Sequence, residues 1–215
     1  MWNDLVAYLQ NNSHDILIQM RDHLVISLIA LLIACLIGIP IGYFASKSAR
    51  GERIMTIPFE VLRVVPSLAI LVLLIPIMGT GTGPATVALT ILAIPPILLN
   101  TIAGFRQVPD FMTECGRGIG LTERQVLWKV RVPLALPLIF AGMRTALVEI
   151  IASATLAAKI GAGGLGEIIF TGLGLNRADL LIIGGVLVAV LSLGCGFLFD
   201  AITGHVLRYK KAAAQ

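Results

Sequence analysis

The sequence predicts an all-α polytopic membrane protein with about five transmembrane helices. Hydrophobic residues make up 57% of the 215-residue chain, charged residues make up 13%, and the mean hydropathy is +0.94. A soluble domain carries about 25% charged residues. Several apolar runs also reach about 20 residues, the length of helix that crosses about 30 Å of hydrocarbon. We therefore predict one bundle of membrane-spanning helices without an appended soluble domain.

The N-terminal segment 1–23 mixes charged and apolar residues, which predicts short amphipathic helices at the membrane surface with a break at Asn11–Ser13. The first span is predicted from Leu24 to Ala45, a run without charge. This run is too long for the core of a cleavable signal peptide, so we expect the span itself to direct insertion. Gly38 and Gly42 have the four-residue spacing that allows two helices to approach closely.

Prolines interrupt the next two predicted spans. The second span is predicted from Ile54 to Met78, and prolines within spans are tolerated where neighbouring helices or water satisfy the freed carbonyls. A glycine-rich turn follows at Gly79–Gly83, and the third span is predicted from Pro84 to Phe105. We expect irregular helices at the proline positions, which are Pro58, Pro66, Pro76, Pro95 and Pro96.

The fourth span is predicted from Pro133 to Ala158 and the fifth from Leu180 to Gly204, so that residues 24–204 form the transmembrane domain and 205–215 a basic tail. The glycines between these two spans, Gly161, Gly163 and Gly166, fit a dinucleotide-binding spacing. That motif requires a preceding strand within a βαβ unit, whereas a membrane span precedes it here. We predict a tight turn instead, in which glycine supplies positive φ angles.

A long polar segment, Thr113 to Pro133, separates the third and fourth spans. Its apolar residues recur at close to a helical period, which predicts one or two short amphipathic helices. We place a break near Gly118 and Gly120, and Thr122 as the N-cap of the second helix with Gln125 at its third position. A short helix held between two spans is suited to docking into a cleft on another protein.

Basic residues indicate the orientation of the chain in the membrane, because they are enriched in cytoplasmic loops. The side with the polar segment carries eleven of them: Lys47, Arg50, Arg53, Arg106, Arg117, Arg124, Lys129, Arg131, Arg208, Lys210 and Lys211. The other side carries three: Arg21, Lys159 and Arg177. The bias predicts five spans, an extracellular N-terminus and a cytoplasmic C-terminus.

The titratable residues do not form a recognisable catalytic or metal site in the sequence. The cysteines show no metal-ligand spacing and no disulfide framework, and the histidines are predicted to be polar residues at the membrane interface. These residues are Cys35, Cys115, Cys195, His14, His23 and His205. The net charge of +4 is explained by topology and does not indicate nucleic acid. We therefore expect no enzymatic activity and no cofactor in this chain.

The polar segment resembles the cytoplasmic coupling loop of ABC-importer permeases. Glu114-Cys115-Gly116, then Gly120, then Val130 to Pro133 follow the order and spacing of the family motif, Glu-Ala-Ala, three residues, Gly, nine residues, Ile-x-Leu-Pro. Cys115 and Gly116 replace the usual alanines. Glycine inside a helix costs about 1 kcal/mol relative to alanine, so we expect this helix to start later or to be looser.

This resemblance implies where ATPase subunits bind. Residues 106–132 correspond to the coupling loop, and the residues expected to contact the ATPase are Glu114, Cys115, Gly116, Gly120, Leu121 and Thr122. ATP would be used by those partner subunits.

Further segments resemble permeases that import osmoprotectants such as glycine betaine, carnitine and choline. These are Val65–Ala69, Gly81–Pro84, Ile94–Thr101, Gly104–Arg106 and the glycine run at 161–166. The resemblance implies a type I ABC-importer permease with a methionine-permease-like fold in a bacterial cell membrane. It also implies a second permease subunit, identical or related, cytoplasmic ATPase subunits and an extracellular substrate-binding protein.

Four charges inside the predicted spans are candidates for the translocation path, because a charge at mid-bilayer costs at least about 2.5 kcal/mol without a partner or water. Glu60 and Arg63 are three residues apart and are expected to pair on one helix face. Arg144 and Glu149 are five apart and do not share a face. Glu149 is expected to line the path, or else to pair with Arg63 or a second subunit.

Three alternatives to this function are considered. A permease for methionine or another small amino acid would share the fold. A stand-alone channel or secondary transporter would predict more ionisable residues in the spans and internal repeats, and the sequence has no evident repeat. A small membrane enzyme would need an interfacial cluster of His, Asp, Glu or Cys.

Overall fold

The computed structural model describes residues 2–207, and all regular elements in that range are helical. Two of these elements are not α-helical: a π-helical turn, Leu127–Arg131, and a 3₁₀ turn, Ala158–Ile160. The α-helices of the described range are α1 (Trp2–Asn11), α2 (Ser13–Ser46), α3 (Ala49–Leu62), α4 (Ser67–Met78), α5 (Thr82–Arg106), α6 (Asp110–Gly118), α7 (Glu123–Val126), α8 (Val132–Ala157), α9 (Gly166–Gly174) and α10 (Ala178–Val206).

Four helices in the described range are long and apolar enough to cross a membrane, which confirms the predicted fold class. They are α2, α5, α10 and the continuous helix from Glu123 to Ile160 that contains α8. A fifth crossing is formed if α3 and α4 count as one bent span. The basic tail lies almost entirely outside the described residues.

Helix α5 occupies the centre of the bundle, between α2 and α8. A Cβ atom added to Gly42 would lie 2.8 Å from Thr101 Cβ, and one added to Gly142 of α8 would lie 2.7 Å from the Pro96 carbonyl oxygen. A Cβ atom added to Gly38 would lie 3.1 Å from Ile97 Cγ2. The close helix approach predicted from Gly38 and Gly42 is therefore confirmed, and α8 uses the same device.

The second predicted span is formed by two helices, and its interruption falls at Pro66, one of the positions where irregularity is predicted. The structure has α3 and α4 meeting at 91°. Pro66 takes an extended conformation at the start of α4, with φ −60° and ψ 134°, and proline disfavours a helical residue before it. Helix α3 begins earlier than predicted, where the Ser48 hydroxyl accepts a hydrogen bond from Gly51 N at 3.0 Å.

The bent pair nevertheless joins the two ends of the bundle. At the end that carries residues 106–132, Glu52 of α3 pairs with Arg106 of α5. At the opposite end, Gly81 N after α4 donates to the Ile160 carbonyl oxygen at 2.7 Å. Helix α4 alone has 12 residues, about 18 Å, and is too short to cross a bilayer. The crossing therefore requires both helices.

The predicted break in the N-terminal segment occurs at Asn12. Residues 13–23 are not a separate short helix, because they belong to α2, which continues without interruption to Ser46. His23 packs inside the bundle. Its side chain is buried, and its Nε2 atom lies 2.9 Å from the Ile151 carbonyl oxygen of α8.

The glycine run after α8 forms the tight turn that the sequence predicts. Gly161, Gly163 and Gly164 have φ angles of 80°, 76° and 82°. A Cβ atom on Gly166 would lie 2.1 Å from the Thr155 carbonyl oxygen, so only glycine fits there. The turn leads into α9, a short helix that was not predicted and that packs on α10.

Candidate coupling loop and intramembrane ion pairs

The candidate coupling loop, residues 106–132, contains α6, which starts after Pro109 and ends in a turn at Gly120. Gly120 N donates to the Arg117 carbonyl oxygen at 2.9 Å, and Leu121 N donates to that of Gly116 at 3.1 Å. This pair of bonds is a Schellman motif, which places its left-handed residue at Gly120, with φ 86°. Glycine is favoured there because a side chain in this conformation is strained.

The second helix of the loop is capped as the sequence predicts. Gln125 N donates to Thr122 Oγ1 at 3.4 Å, and Thr122 N donates to Gln125 Oε1 at 2.9 Å, which completes a capping box. This helix is not a separate element, however. It continues through the π-helical turn into α8, so a displacement of Thr122 acts on the fourth span directly.

The expectation of a late or loose start to α6 is wrong. The helix begins at Asp110 and runs through Cys115 and Gly116. Gly116 is buried, and a Cβ atom there would lie 3.5 Å from Val126 and 3.6 Å from Leu121. Packing of α6 against α7 and the following turn therefore outweighs the unfavourable helix propensity of glycine.

One face of α6 is exposed and partly apolar. It carries Glu114 and Cys115 together with Phe111, whose exposure is 59%. Ile119, just beyond the helix, is 79% exposed. Phe111 was missed by sequence reasoning, and its signal was its position at the start of an amphipathic helix. Exposed apolar residues of this size suit a protein interface.

An ion pair closes the loop across the Gly120 turn. Arg117 Nε donates to Glu123 Oε1 at 2.6 Å, and Arg117 Nη2 donates to Oε2 at 3.1 Å. These hydrogen bonds, together with the attraction between the charges, raise the pKa of Arg117 and lower the pKa of Glu123. The pair therefore stays charged at neutral pH.

Three of the four candidate charges inside the spans form ion pairs between helices. Arg63, at the bend between α3 and α4, lies 3.4 Å from Glu149 of α8. Within the described residues no ion pair joins Arg63 to Glu60, so the expected intrahelical pair is corrected and the alternative pairing of Glu149 is the one found. Arg144 Nε lies 2.7 Å from Asp200 Oδ1 of α10.

Sequence reasoning missed Asp200, because its partner is 56 residues away in the chain. Its signal was an acidic residue inside the otherwise apolar run of the fifth span. The two ion pairs tie α8 to the bend on one side and to α10 on the other.

The Arg63–Glu149 pair and Arg144 of the second pair each line a small cavity. A cavity of about 220 Å³ beside the bend is lined by Arg63, Glu149, Ser67, Ser153 and apolar residues. A second cavity, of about 180 Å³, is lined by Arg144, Ser192 and residues of α8 and α10. The side chains of Arg63 and Glu149 are 46% and 40% exposed in the isolated chain. They therefore lie on a surface of the bundle and not in its apolar core.

Comparison with protein families identifies the chain. A family model described as "Binding-protein-dependent transport system inner membrane component" matches residues 38–210. The chain belongs to this family. The carnitine transport permease protein OpuCB of Listeria monocytogenes is 43% identical over 189 residues, 88% of this chain and 87% of that protein. The glycine betaine/carnitine/choline transport system permease protein OpuCB of Bacillus subtilis (strain 168) is 39% identical over 191 residues, 89% of this chain and 88% of that protein.

Solved structures give the same fold. A chain of the MetNI methionine ABC transporter in an inward-facing conformation has a TM-score of 0.73, 23% identity, and coverage of 90% of this chain and 95% of that chain. A chain of an amino acid ABC transporter also has a TM-score of 0.73, with 18% identity and coverage of 94% and 97%. The predicted methionine-permease-like fold is thus confirmed.

Family membership defines the class of function. The chain is a membrane-embedded transport permease of an ABC importer and not an enzyme, and ATP is used by a partner subunit. The alternatives of a stand-alone channel, a secondary transporter and a membrane enzyme are excluded by this membership. Partners of the ATPase and substrate-binding types follow from the family in general terms.

Proposed function

We propose that this permease imports a compatible solute with a quaternary ammonium group, such as glycine betaine, carnitine or choline, by alternating access across a bacterial cell membrane. The observation that carries the proposal is the identity of 39–43% over nearly nine-tenths of the chain to permeases named for these solutes. The three solutes share a permanent positive charge on a methylated nitrogen. The likeness to the methionine transporter supports only the fold, so methionine remains the second candidate.

The exposed face of α6 is proposed to dock into a cleft of the ATPase subunit. Glu114 and Cys115 lie on this face beside Phe111, and the Gly120 turn keeps the face in a fixed position. The six residues that resemble the family motif, Glu114, Cys115, Gly116, Gly120, Leu121 and Thr122, divide into two groups. Glu114 and Cys115 contact the ATPase, whereas the other four shape the loop that presents them: Gly116, Gly120, Leu121 and Thr122.

Movement of the coupling loop is proposed to reach the membrane through a continuous helix. Residues 123–160 form one helical run, and Glu149 lies within it, opposite the bend between α3 and α4. A shift of this helix therefore changes the geometry of the Arg63–Glu149 pair. We propose that the pair lines the translocation path and rearranges when the path opens, and that Arg144 with Asp200 forms a second charged position.

A path of this kind suits a zwitterion. An ion pair in a low-dielectric region neutralises both charges, so that the path as a whole repels neither the ammonium of the three solutes nor the carboxylate of glycine betaine and carnitine. Glu60 is exposed at the same bent span and has no ion pair in the described part of the chain, which leaves it available to solvent or to a partner. We assign it a secondary place on the path.

The remaining topology and partners follow from the same proposal. The N-terminus lies outside, the C-terminal tail lies in the cytoplasm, and residues 106–132 face the ATPase subunits. A second permease subunit, identical or related, completes the path. An extracellular substrate-binding protein delivers the solute.

A transport assay with the assembled complex tests this function. The chain is co-expressed with its ATPase and binding protein, purified in mild detergent and reconstituted into liposomes that contain ATP. Uptake of labelled glycine betaine, carnitine and choline is compared with that of methionine. We expect ATP-dependent uptake of at least one quaternary amine and none of methionine. Uptake of methionine alone would favour the second candidate, and uptake without ATP would contradict the importer mechanism.

A further inference from the structure

Two cavities of opposite character adjoin at the end of the bundle that carries the coupling loop. One, of about 600 Å³, is polar and contains five basic side chains, Lys47, Arg106, Arg117, Arg124 and Arg131. The other, of about 300 Å³, is lined entirely by apolar and aromatic residues of α2, α5, α8 and the π-helical turn. Tyr43, Phe105 and Leu127 line both, so these three residues form the boundary between the cavities.

We propose that the two cavities form one binding site for an anionic phospholipid of the adjacent leaflet. An acyl chain occupies the apolar cavity, and the headgroup phosphate lies among the basic residues. The proposal does not depend on which solute the permease carries.

The charges of the polar cavity favour an anionic ligand. Its acidic residues are Asp110 and Glu123, against five basic ones. Arg106 pairs with Glu52 and Arg117 pairs with Glu123. The other three basic residues, Lys47, Arg124 and Arg131, form no salt bridge within residues 2–207. Arginine and lysine near a membrane surface attract anionic headgroups, and arginine binds phosphate with two parallel hydrogen bonds.

Two of these cations lie against the aromatic residues that separate the cavities. The ammonium of Lys47 is 4.7 Å from the centre of the Tyr43 ring. The guanidinium of Arg131 is 5.8 Å from the centre of the Phe105 ring. Contact with the ring faces holds both cations next to the apolar cavity, where the phosphate of a lipid would lie if its chain filled that cavity.

The position of the site matches the boundary between hydrocarbon and water. Lys47 directly follows α2, Arg106 ends α5, and Arg131 directly precedes α8. Trp128, which lines the apolar cavity, is 62% exposed. Tryptophan is enriched at membrane interfaces. The apolar cavity extends from this level along the first turns of α8 to Met143, in the direction of a lipid acyl chain.

A phospholipid would fill the apolar cavity with its acyl chain and supply a negative charge to the polar cavity. A purely apolar protein surface would do only the first. A span of a second permease copy would fill the apolar cavity but would leave Lys47, Arg124 and Arg131 without a counter-charge. A small soluble anion would bind the cations but leave the apolar cavity open to water. The anionic lipid is therefore the occupant that the observations favour.

Native mass spectrometry of the full-length permease tests the site. The protein in detergent is titrated with phosphatidylglycerol or with phosphatidylcholine of identical acyl chains. We expect tighter binding of phosphatidylglycerol. In the Lys47→Gln/Arg131→Gln variant, its affinity should fall about fivefold for each charge removed. Arg50→Gln is the matched control, because Arg50 is exposed near the same end of the bundle but does not line either cavity, and its affinity should change less than twofold.

A second variant tests the apolar cavity independently. Leu136→Trp adds bulk to this cavity and leaves every charge in place, and we expect weaker binding of both lipids. Equal affinities for the two lipids, or equal losses in Arg50→Gln and Lys47→Gln/Arg131→Gln, would refute the site.

Two further measurements exclude other occupants. Glycerol 3-phosphate should not displace phosphatidylglycerol at equal concentration; displacement would indicate a site for free anions and refute the proposal. A photoreactive phenylalanine in place of Leu136 should crosslink to lipid in liposomes. Crosslinking to a second permease copy instead would show that protein covers the cavity.

Discussion

Two of the sharp changes of direction in the chain, the Gly120 turn and the bend between α3 and α4, are held in different ways. At Gly120, a Schellman motif, a capping box and the Arg117–Glu123 ion pair fix the turn, and Gly116 and Val126 are buried beneath it. At the bend between α3 and α4, α3 has no buried residue, and Arg63 is held by a single ion pair with Glu149 at 3.4 Å. We propose that the first turn transmits motion and that the second undergoes it, since local opening occurs where few contacts need to break.

The largest effect is expected from a side chain at the rigid turn. Gly120→Val places a β-branched residue at φ 86°, a strain of about 1–2 kcal/mol or more that distorts the loop. We expect ATP-driven uptake by the reconstituted complex to fall about tenfold or more, while the permease still inserts. The control is Gly118→Ala, since Gly118 ends α6 with open space around it. Similar losses in both variants would show that the geometry of Gly120 is not what matters.

A smaller effect, on the stability of the permease, is expected at the bend. It arises mainly because one charge of the Arg63–Glu149 pair is left without its partner. Glu149→Gln leaves Arg63 unpaired near the membrane interior, and we expect it to destabilise the permease by about 1–2 kcal/mol, less than for a fully buried pair. Arg63→Gln/Glu149→Gln should regain part of this loss. Thermal unfolding in detergent measures both, with Glu60→Gln as the unpaired control. Additive losses in the double variant would contradict a direct interaction.

One substitution beneath the Gly120 turn should make α6 more stable. A Cβ atom on Gly116 would make ordinary contacts at 3.5–3.6 Å with Val126, Leu121 and Val130. Gly116→Ala should therefore stabilise α6 by up to about 1 kcal/mol, since alanine is the better helix former. Slower hydrogen exchange of the α6 amides with unchanged uptake is the expected result. Faster exchange would show that Gly116 is required for packing.

The smallest effect concerns the ion pair across the turn. The pKa of Glu123 is lowered in the folded state, so its stabilising contribution is present above its ordinary pKa and is lost as the pH falls through the lowered value. The difference in melting temperature between wild type and Glu123→Gln should thus be small and constant from pH 7 to about pH 5 and should disappear in more acidic solution. A difference in melting temperature that grew as the pH fell would contradict a lowered pKa of Glu123.

Features that depend on residues close together in the chain could be predicted from the sequence, whereas contacts between distant residues could not. The Gly120 break and the Thr122 cap depend on residues within a few positions of each other, and local pattern was enough. Pro66 indicated an interruption, but its 91° angle depends on how α3 and α4 pack on other helices. The pairs Arg63–Glu149 and Arg144–Asp200 join distant parts of the chain, and α9 is stabilised by packing on α10, so the sequence alone could not identify them.

The long helix from Glu123 to Ile160 makes its closest approach to α5 near its middle. Gly142 lies 19 residues from one end and 18 from the other, and there α8 touches the backbone of α5 at Pro96. We infer that the helix can tilt about this contact as a rigid rod. Each arm is about 28 Å long, so each 2° of tilt moves the two ends by about 1 Å in opposite directions. A pull on the coupling loop would thereby be inverted at the far side of the membrane, where Ile160 holds the Gly81 turn by a hydrogen bond.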